Sequence, residues 1–475
     1  MSYYPEHFRD LAGWGDCNIT LSTTSDQVAK LYDAALSQSV YMYNHPQYGG
    51  VMQTINKMLA IDPNFVMGSI MKLTFENFVT RPLCQNKLNA CLAKLPSLNQ
   101  QEKLHVGAVN CLSKEDLLGA LEQYHTISKL YPHDMLAIHQ GYLLALVTGR
   151  NQYLRDIPSA VVEHYKPHTP YYGHIHGKLC FAQAELGLYA EARESGGIAV
   201  ESLCYDSWAH HAMAHVYENE GKPKDGIVYL EHTESQWVKG TNFKQHLHWH
   251  NSLFYSQIQD SETALSLYDQ HIAPVALAEP GHTFPLTDAV SLLARLELQG
   301  VKVESRMKGV CAAWAKHDNE FTNLYCDANS CVSKMLAGER AQAERLIENM
   351  QEYINSSRAG HNKEVTMRYG IPLLQGLQLF YDKDYGKAVE VMKESVPACL
   401  TNNMYGSKAQ KDVFSLLFVE AGIRSGAEEH VGLAQAVLEG MLVGNKVKEL
   451  GPLHQTMYDR AAQRQANKLK SGWTS

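Results

Sequence analysis

Basic charge is in short supply. Lys and Arg total 42 against 50 Asp and Glu, a formal charge of −8 over 475 residues. A protein that grips nucleic acid through its phosphates needs a basic surface. The only local excess, Lys468 and Lys470 after Arg460 and Arg464, reads as a solvated last helix turn, so no nucleic acid partner is expected. Long apolar runs are missing as well. The longest, around Tyr142 to Thr148, falls far short of the ~20 residues of a membrane-spanning helix, so no membrane partner is expected. Residues 1–7 carry neither a basic stretch nor an apolar one, which argues against a secretion signal. None of the 10 cysteines forms a Cys-x-x-Cys pair, and the expectation is reduced thiols in a cytoplasmic protein. Gly-x-Gly-x-x-Gly and P-loop patterns are absent, leaving nucleotide chemistry without support. Gly 33 and Pro 16 are too few for a low-complexity chain.

Apolar residues make up 45% and charged residues 19%, ample material for a core. They recur at helical spacing, as in Val28, Leu31, Tyr32, Ala35 and Leu36 behind a Ser25 N-cap. Alternating strand patterns bounded by hairpin turns are missing, so the fold class is all-α. Short helices come in pairs, with a small residue where the second helix must approach the first. Ala192, Gly226 and Ala264 mark three such positions, and Ala120, Ala343 and Ala388 mark others. A unit near 34 residues with this signature predicts a tetratricopeptide-like α-solenoid. We expect a lead-in over 1–20, irregular helical pairs over 21–112, recognisable repeats over 113–400 and C-terminal capping helices over 401–475. Exposed inter-helix loops are expected at 273–282 and 355–363.

Several motifs resemble the tetratricopeptide repeat protein 38 family. They include Leu21-Ser22-Thr23-Thr24-Ser25, Asp62-Pro63-Asn64-Phe65-Val66-Met67-Gly68 and Glu102-Lys103-Leu104-His105-Val106. Asp134-Met135-Leu136-Ala137, Asp206-Ser207-Trp208 with His211 and Ala214-His215, Trp249-His250, Tyr268-Asp269 with His271-Ile272, and Asp327-Ala328 continue the match. It closes with the run from Gly406 to Phe414 and so spans nearly the whole chain. The resemblance implies a helical-repeat protein but no particular reaction or partner. One departure is Tyr142-Leu143, where a His-Asp pair is expected after the Asp134 motif.

Chemistry-bearing residues concentrate on the first helices of neighbouring units, expected over 205–220, 243–258, 284–299 and 320–337. His211, His215 and Glu218 lie at i, i+4 and i+7, and His246 and His250 repeat the four-residue spacing, with His248 turned away. Asp288, Ser291 and Arg295 share a face of the third helix, and Asp327 and Asn329 come from the fourth. Imidazole and carboxylate suit Zn, Fe, Mn or Ni, so a possible divalent metal on His211, His215 and His250 is one expectation. Without a metal, His211, His215 and Asp288 are the candidate catalytic acid–base groups. The residue between the two histidines is not Glu, so the metalloprotease motif is incomplete. Cys326 and Asp327 with His317 form a weaker nucleophile candidate, helical Cys being more often inert. Arg368 is a weaker groove-facing candidate, and Ser407 reads as an N-cap.

Two readings stay open. In the first, a concave His-rich groove binds a protein segment or small molecule through His211, His215, Glu218, His246, His250, Asp288, Arg295, Asp327, Trp208 and Trp249. In the second, an enzyme uses the same groove. A homodimer is compatible with either.

Overall fold

The computed structural model describes residues 7–76, 85–240, 243–278, 283–399, 401 and 404–472. Among them the chain is helical with no strand, and one isolated bridge joins His45 to Gly49. The all-α expectation holds: helices follow in pairs, each packed on its partner and on the next pair, forming a tetratricopeptide-like array.

The register of the array is written in the turns. The residue linking the two helices of a unit sits in the left-handed region at Glu115, Gly149, Gly187, Gly221, Gln259, Gly300, Gly338, Lys383 and Gly426. The spacing starts at 34 residues (115 to 149) and reaches 45 (338 to 383). Glycine dominates the series because a Cβ at positive φ costs energy that glycine avoids. The small residues read from the sequence lie where the helices touch. Ala120, Ala192, Ala264, Ala343 and Ala388 are fully buried. A Cβ on Gly226 would meet the Phe254 ring at 2.5 Å, so that crossing admits no side chain.

Four first helices carry the candidate site: α1 (Tyr172–Glu185), α2 (Ser207–Asn219), α3 (Lys244–Gln257) and α4 (Phe284–Leu298). α2, α3 and α4 begin and end close to the expected bounds, as does Leu324–Leu336 for the expected 320–337, whereas α1 was not among the expected helices. Asp206 caps α2 through its side chain, and Pro285 fits the first turn of α4, where its missing N–H costs nothing. The expected loops are shorter than foreseen. Part of 273–282 is helix Ala273–Ala276 after a π-helical turn, and 279–282 lie outside the described residues. Likewise the 355–363 stretch runs from His361 into a helix that continues through a second π-helical turn holding the exposed Arg368.

The last three helices are α5 (Lys408–Ser425), α6 (Glu428–Asn445) and α7 (Pro452–Gly472). Ser407 caps α5 in a capping box with Gln410. Helix α5 packs on the preceding helix Tyr385–Met392, and it also lies against α2 and α4, while α7 reaches α3. The tail therefore folds back onto the array. Arg295 holds it there, with Nη2 donating to the Ala409 carbonyl at 2.6 Å and lying 3.7 Å from Asp412. The face of α2 to α4 foreseen as part of a groove for a partner segment is lined by the chain's own tail. Buried apolar side chains form two large clusters, one from Trp14 to Phe243 and one from Trp249 to Ala421. The histidine-bearing stretch of α2 and α3 falls at the seam between them.

Candidate functional site

The four imidazoles converge. His211 and His215 on α2 meet edge to face one turn apart, with ring centroids at 4.5 Å and their Nε2 atoms at 2.9 Å. His250 on α3 comes within 4.6 Å of the His215 ring and 5.2 Å of the His211 ring, and His246 lies 4.8 Å from His250. Ligand atoms of His211, His215 and His250 all lie within 4.8 Å of one another. The rings are buried against Phe181, Trp208, Phe243 and Trp249, and His246 stacks on Trp249 at 4.9 Å. As foreseen, His248 turns away and stacks on His271 at 3.7 Å.

Two carboxylates orient the cluster. Asp288 accepts from or pairs with His246 Nδ1 at 2.8 Å, as the helix faces suggested. The carboxylate beside His215 is Glu185 on α1, with Oε1 3.3 Å from Nδ1; Glu218, expected on the same face of α2, does not reach it. Burial alone would raise the Glu185 carboxyl, but His215 and the tail residue Lys408 bring it down to about 2. A charged Glu185 beside Nδ1 favours the His215 proton on that nitrogen, the tautomer whose Nε2 lone pair faces His211. Burial lowers the His211 and His250 pKa well below the ordinary imidazole value, with the neighbouring histidines adding to the effect. Both are neutral at pH 7, the form that ligates metal. His250 has no hydrogen-bond partner at either nitrogen and His211 has none at Nδ1. Buried polar atoms normally find a partner, which these nitrogens do not have among the described residues.

Glu185 was legible only by register. It stands two residues before the left-handed Gly187, as Asn219 stands before Gly221 and Gln257 before Gln259. These three polar residues occupy the same register position at the ends of α1, α2 and α3. Asn219 Nδ2 donates to Glu185 Oε1 at 3.1 Å, and the backbone N–H of Lys408, at the start of α5, donates to Glu185 Oε2 at 2.9 Å. One carboxylate thus touches the histidine cluster and the tail.

A second feature escaped the sequence reading. His105 pairs with Asp134 at 2.7 Å, His174 with Asp206 at 3.0 Å, and His246 with Asp288 at 2.8 Å. Each pair joins the first helix of one unit to that of the next, and Asp134 and Asp206 also cap their own helices. Beside the second pair, Lys178 is 1% exposed with its Nζ 4.1 Å above the Tyr142 ring and 5.2 Å above Trp208. Burial brings this lysine down to about 7, with Asp206 opposing the shift. Tyr142 thus serves as a platform for a buried amine.

The remaining candidates fall elsewhere. Glu218 points into a separate cavity under the tail, where Gln257 donates to it at 2.7 Å and burial pushes its carboxyl up to about 7. Arg295 is 4% exposed and committed to α5, so it is a tail anchor and no clamp for a partner. Asp327 lies apart with Cys326 and His317 around a small cavity, its carboxyl pushed up to about 8 by burial. Asn329 bonds its own helix through the Tyr325 carbonyl. Cys326 meets Thr283 at 3.4 Å and burial pushes its thiol up to about 11, which removes the nucleophile reading. The nine described cysteines are free thiols.

No family model matches the chain. Its fold is similar to that of human IFIT1, solved as a dimer with m7Gppp-AAAA, at 14% identity and a TM-score of 0.42 over 96% of this chain and 98% of that one. It is similar to the TPR domain of P58(IPK) at 11% identity and a TM-score of 0.20, over 93% and 99% of the two chains. Among the described residues no helix is long and apolar enough to cross a membrane.

Proposed function

We propose that this chain is a helical-repeat binding protein of the cytoplasm, akin to the tetratricopeptide repeat protein 38 family, whose interior takes one divalent transition-metal ion. His211, His215 and His250 are the ligands. The observation that carries the reading is the meeting of three neutral, buried imidazoles from two adjacent helices within 4.8 Å. Two nitrogens on one tetrahedral zinc, with bonds of ~2.0–2.1 Å, stand about 3.3 Å apart. The 2.9 Å between His211 Nε2 and His215 Nε2 needs only a small opening to admit the ion. His250 would supply the third ligand, and one of its two unpartnered nitrogens would gain a partner.

The surroundings support the same reading. Glu185 behind His215 is the outer carboxylate that makes a ligating imidazole more basic and fixes its tautomer. Three protein ligands leave a fourth position for a small oxygen or nitrogen donor, which favours a small ligand over a peptide. His246, held by Asp288, is placed to meet that donor.

The test is metal content. Protein purified from zinc-supplemented cells and dialysed should carry one equivalent of metal, and His211→Ala with His250→Ala should carry none while keeping its circular dichroism. A metal-free wild-type protein that also fails to take up Zn²⁺ or Fe²⁺ after purification removes the proposal.

A further inference from the structure

A cavity of ≈ 620 Å³ lies between α2 and α3 of the array and the tail helices α5, α6 and α7. That volume falls in the range of small-molecule sites. One wall is apolar, built by Phe418 of α5 with Leu433, Val437 and Met441 of α6. Against it stand four polar side-chain atoms that are buried and have no hydrogen-bond partner: Lys411 Nζ, Ser415 Oγ, Glu218 Oε2 and Gln257 Oε1. Lys411 is 1% exposed and Ser415 fully buried. A buried amine that makes no hydrogen bond is costly to hold, and four such polar atoms around one cavity call for a shared explanation.

The orphans divide into two poles. Lys411 and Ser415 lie one turn apart on the same face of α5, both able to donate. Lys408 on that face is already committed, its Nζ donating to the Gly444 carbonyl at 3.0 Å and Asn445 Oδ1 at 2.7 Å. Lys411 Nζ makes no hydrogen bond among the described residues, with the Glu185 charge acting on it only from a distance. At the other pole Gln257 Nε2 is spent on Glu218 Oε1, which leaves two oxygens that hold no anion. Asp412 nearby is matched by His454 at 3.0 Å and by Arg295 at 3.7 Å, so it adds no unpaired negative charge.

We propose that this cavity binds an amphipathic carboxylate of the fatty-acid class, its head on Lys411 Nζ and Ser415 Oγ and its alkyl chain along the apolar wall of α6. An ammonium and a hydroxyl one turn apart supply a charge-assisted pair for one carboxylate. The apolar wall supplies the tail energy, and Glu218 and Gln257 leave room for a polar group at the distal end. This site is distinct from the histidine cluster, and neither proposal depends on the other.

Laurate is the probe, with dodecanol as its uncharged counterpart, titrated calorimetrically into the full-length wild-type protein. Laurate should bind one per chain and about ten- to a hundredfold more tightly than dodecanol, the scale of a buried charge-assisted contact. Lys411→Met should erase that preference, and Ser415→Ala should reduce it. Val437→Trp, which fills the cavity, should abolish binding of both probes. Metal content should be unchanged in all three variants, which separates failure of this proposal from failure of the metal site. Absence of laurate binding to the wild type, or equal laurate affinity in wild type and Lys411→Met, overturns the proposal.

Discussion

Replacing Arg295 by Met tests whether the tail is held as described. The guanidinium donates to Ser291 O at 2.9 Å within its own helix and to Ala409 O at 2.6 Å across to α5, and it lies 3.7 Å from Asp412. Met keeps most of the stem's packing and removes the charge. Breaking a buried ion pair by deleting one partner costs about 3–5 kcal/mol when the other charge is stranded. Here Asp412 keeps His454 at 3.0 Å, so the stranded-charge part is largely spared. What remains is one charge-assisted hydrogen bond between elements and a weakened ion pair, about 2–3 kcal/mol. Because that loss falls on the tail's attachment, it should appear as easier local opening. At 1.4 kcal/mol per tenfold, amide exchange in Lys408–Ser425 should quicken about 30- to 150-fold. Amides of the Met135–Val147 helix, which lies outside the tail's contacts, should change far less. Hydrogen exchange read by mass spectrometry resolves the two. Unchanged protection in α5, or an equal loss in both helices, refutes the reasoning.

Two glycines in second helices should respond with opposite signs. Gly226→Ala drives a methyl into Phe254 and should destabilise by about 1–3 kcal/mol, whereas Gly197→Ala meets nothing within 4 Å and should stabilise by about 0.5–1 kcal/mol in thermal or urea unfolding. Asp327 carries a folded pKa raised to about 8, so its ionisation weakens the fold as pH climbs from about 4 and the penalty is complete above about 8. Asp327→Asn should thus raise the melting temperature at pH 9, by at least about 1 kcal/mol in stability, and leave it nearly unchanged near pH 3. Glu185→Gln removes the carboxylate behind His215 and should weaken zinc affinity about 10- to 100-fold in a competitive chelator assay.

What the sequence disclosed follows from what is local. The helix bounds, the close-approach residues and the shared faces of His211 with His215 and His246 with His250 all derive from a 3.6-residue period and from caps within a few residues. The convergence of the two histidine pairs held because neighbouring first helices pack at a fixed distance. Glu218 and Arg295 stand apart from the histidine cluster for a common reason. Both depend on where a segment more than a hundred residues downstream comes to rest, and α5 returns to α2 and α4 through contacts that no local pattern announces. Glu185 was missed because its role comes from a position repeated across units, visible only once the left-handed turns set the register. Lys178 was missed because a lone lysine in a helix reads as a surface residue, and only the Tyr142 and Trp208 rings reveal it as buried.

The measurement closest to the heart of this account is a titration of chelator-treated protein with Co²⁺, followed by visible absorption. Three imidazoles meeting in the seam between two hydrophobic cores should give intense d–d bands of a tetrahedral site, saturating at one ion per chain and lost in His250→Ala. Weak bands of an octahedral, water-rich ion, or a wild-type spectrum that survives in His250→Ala, contradict it.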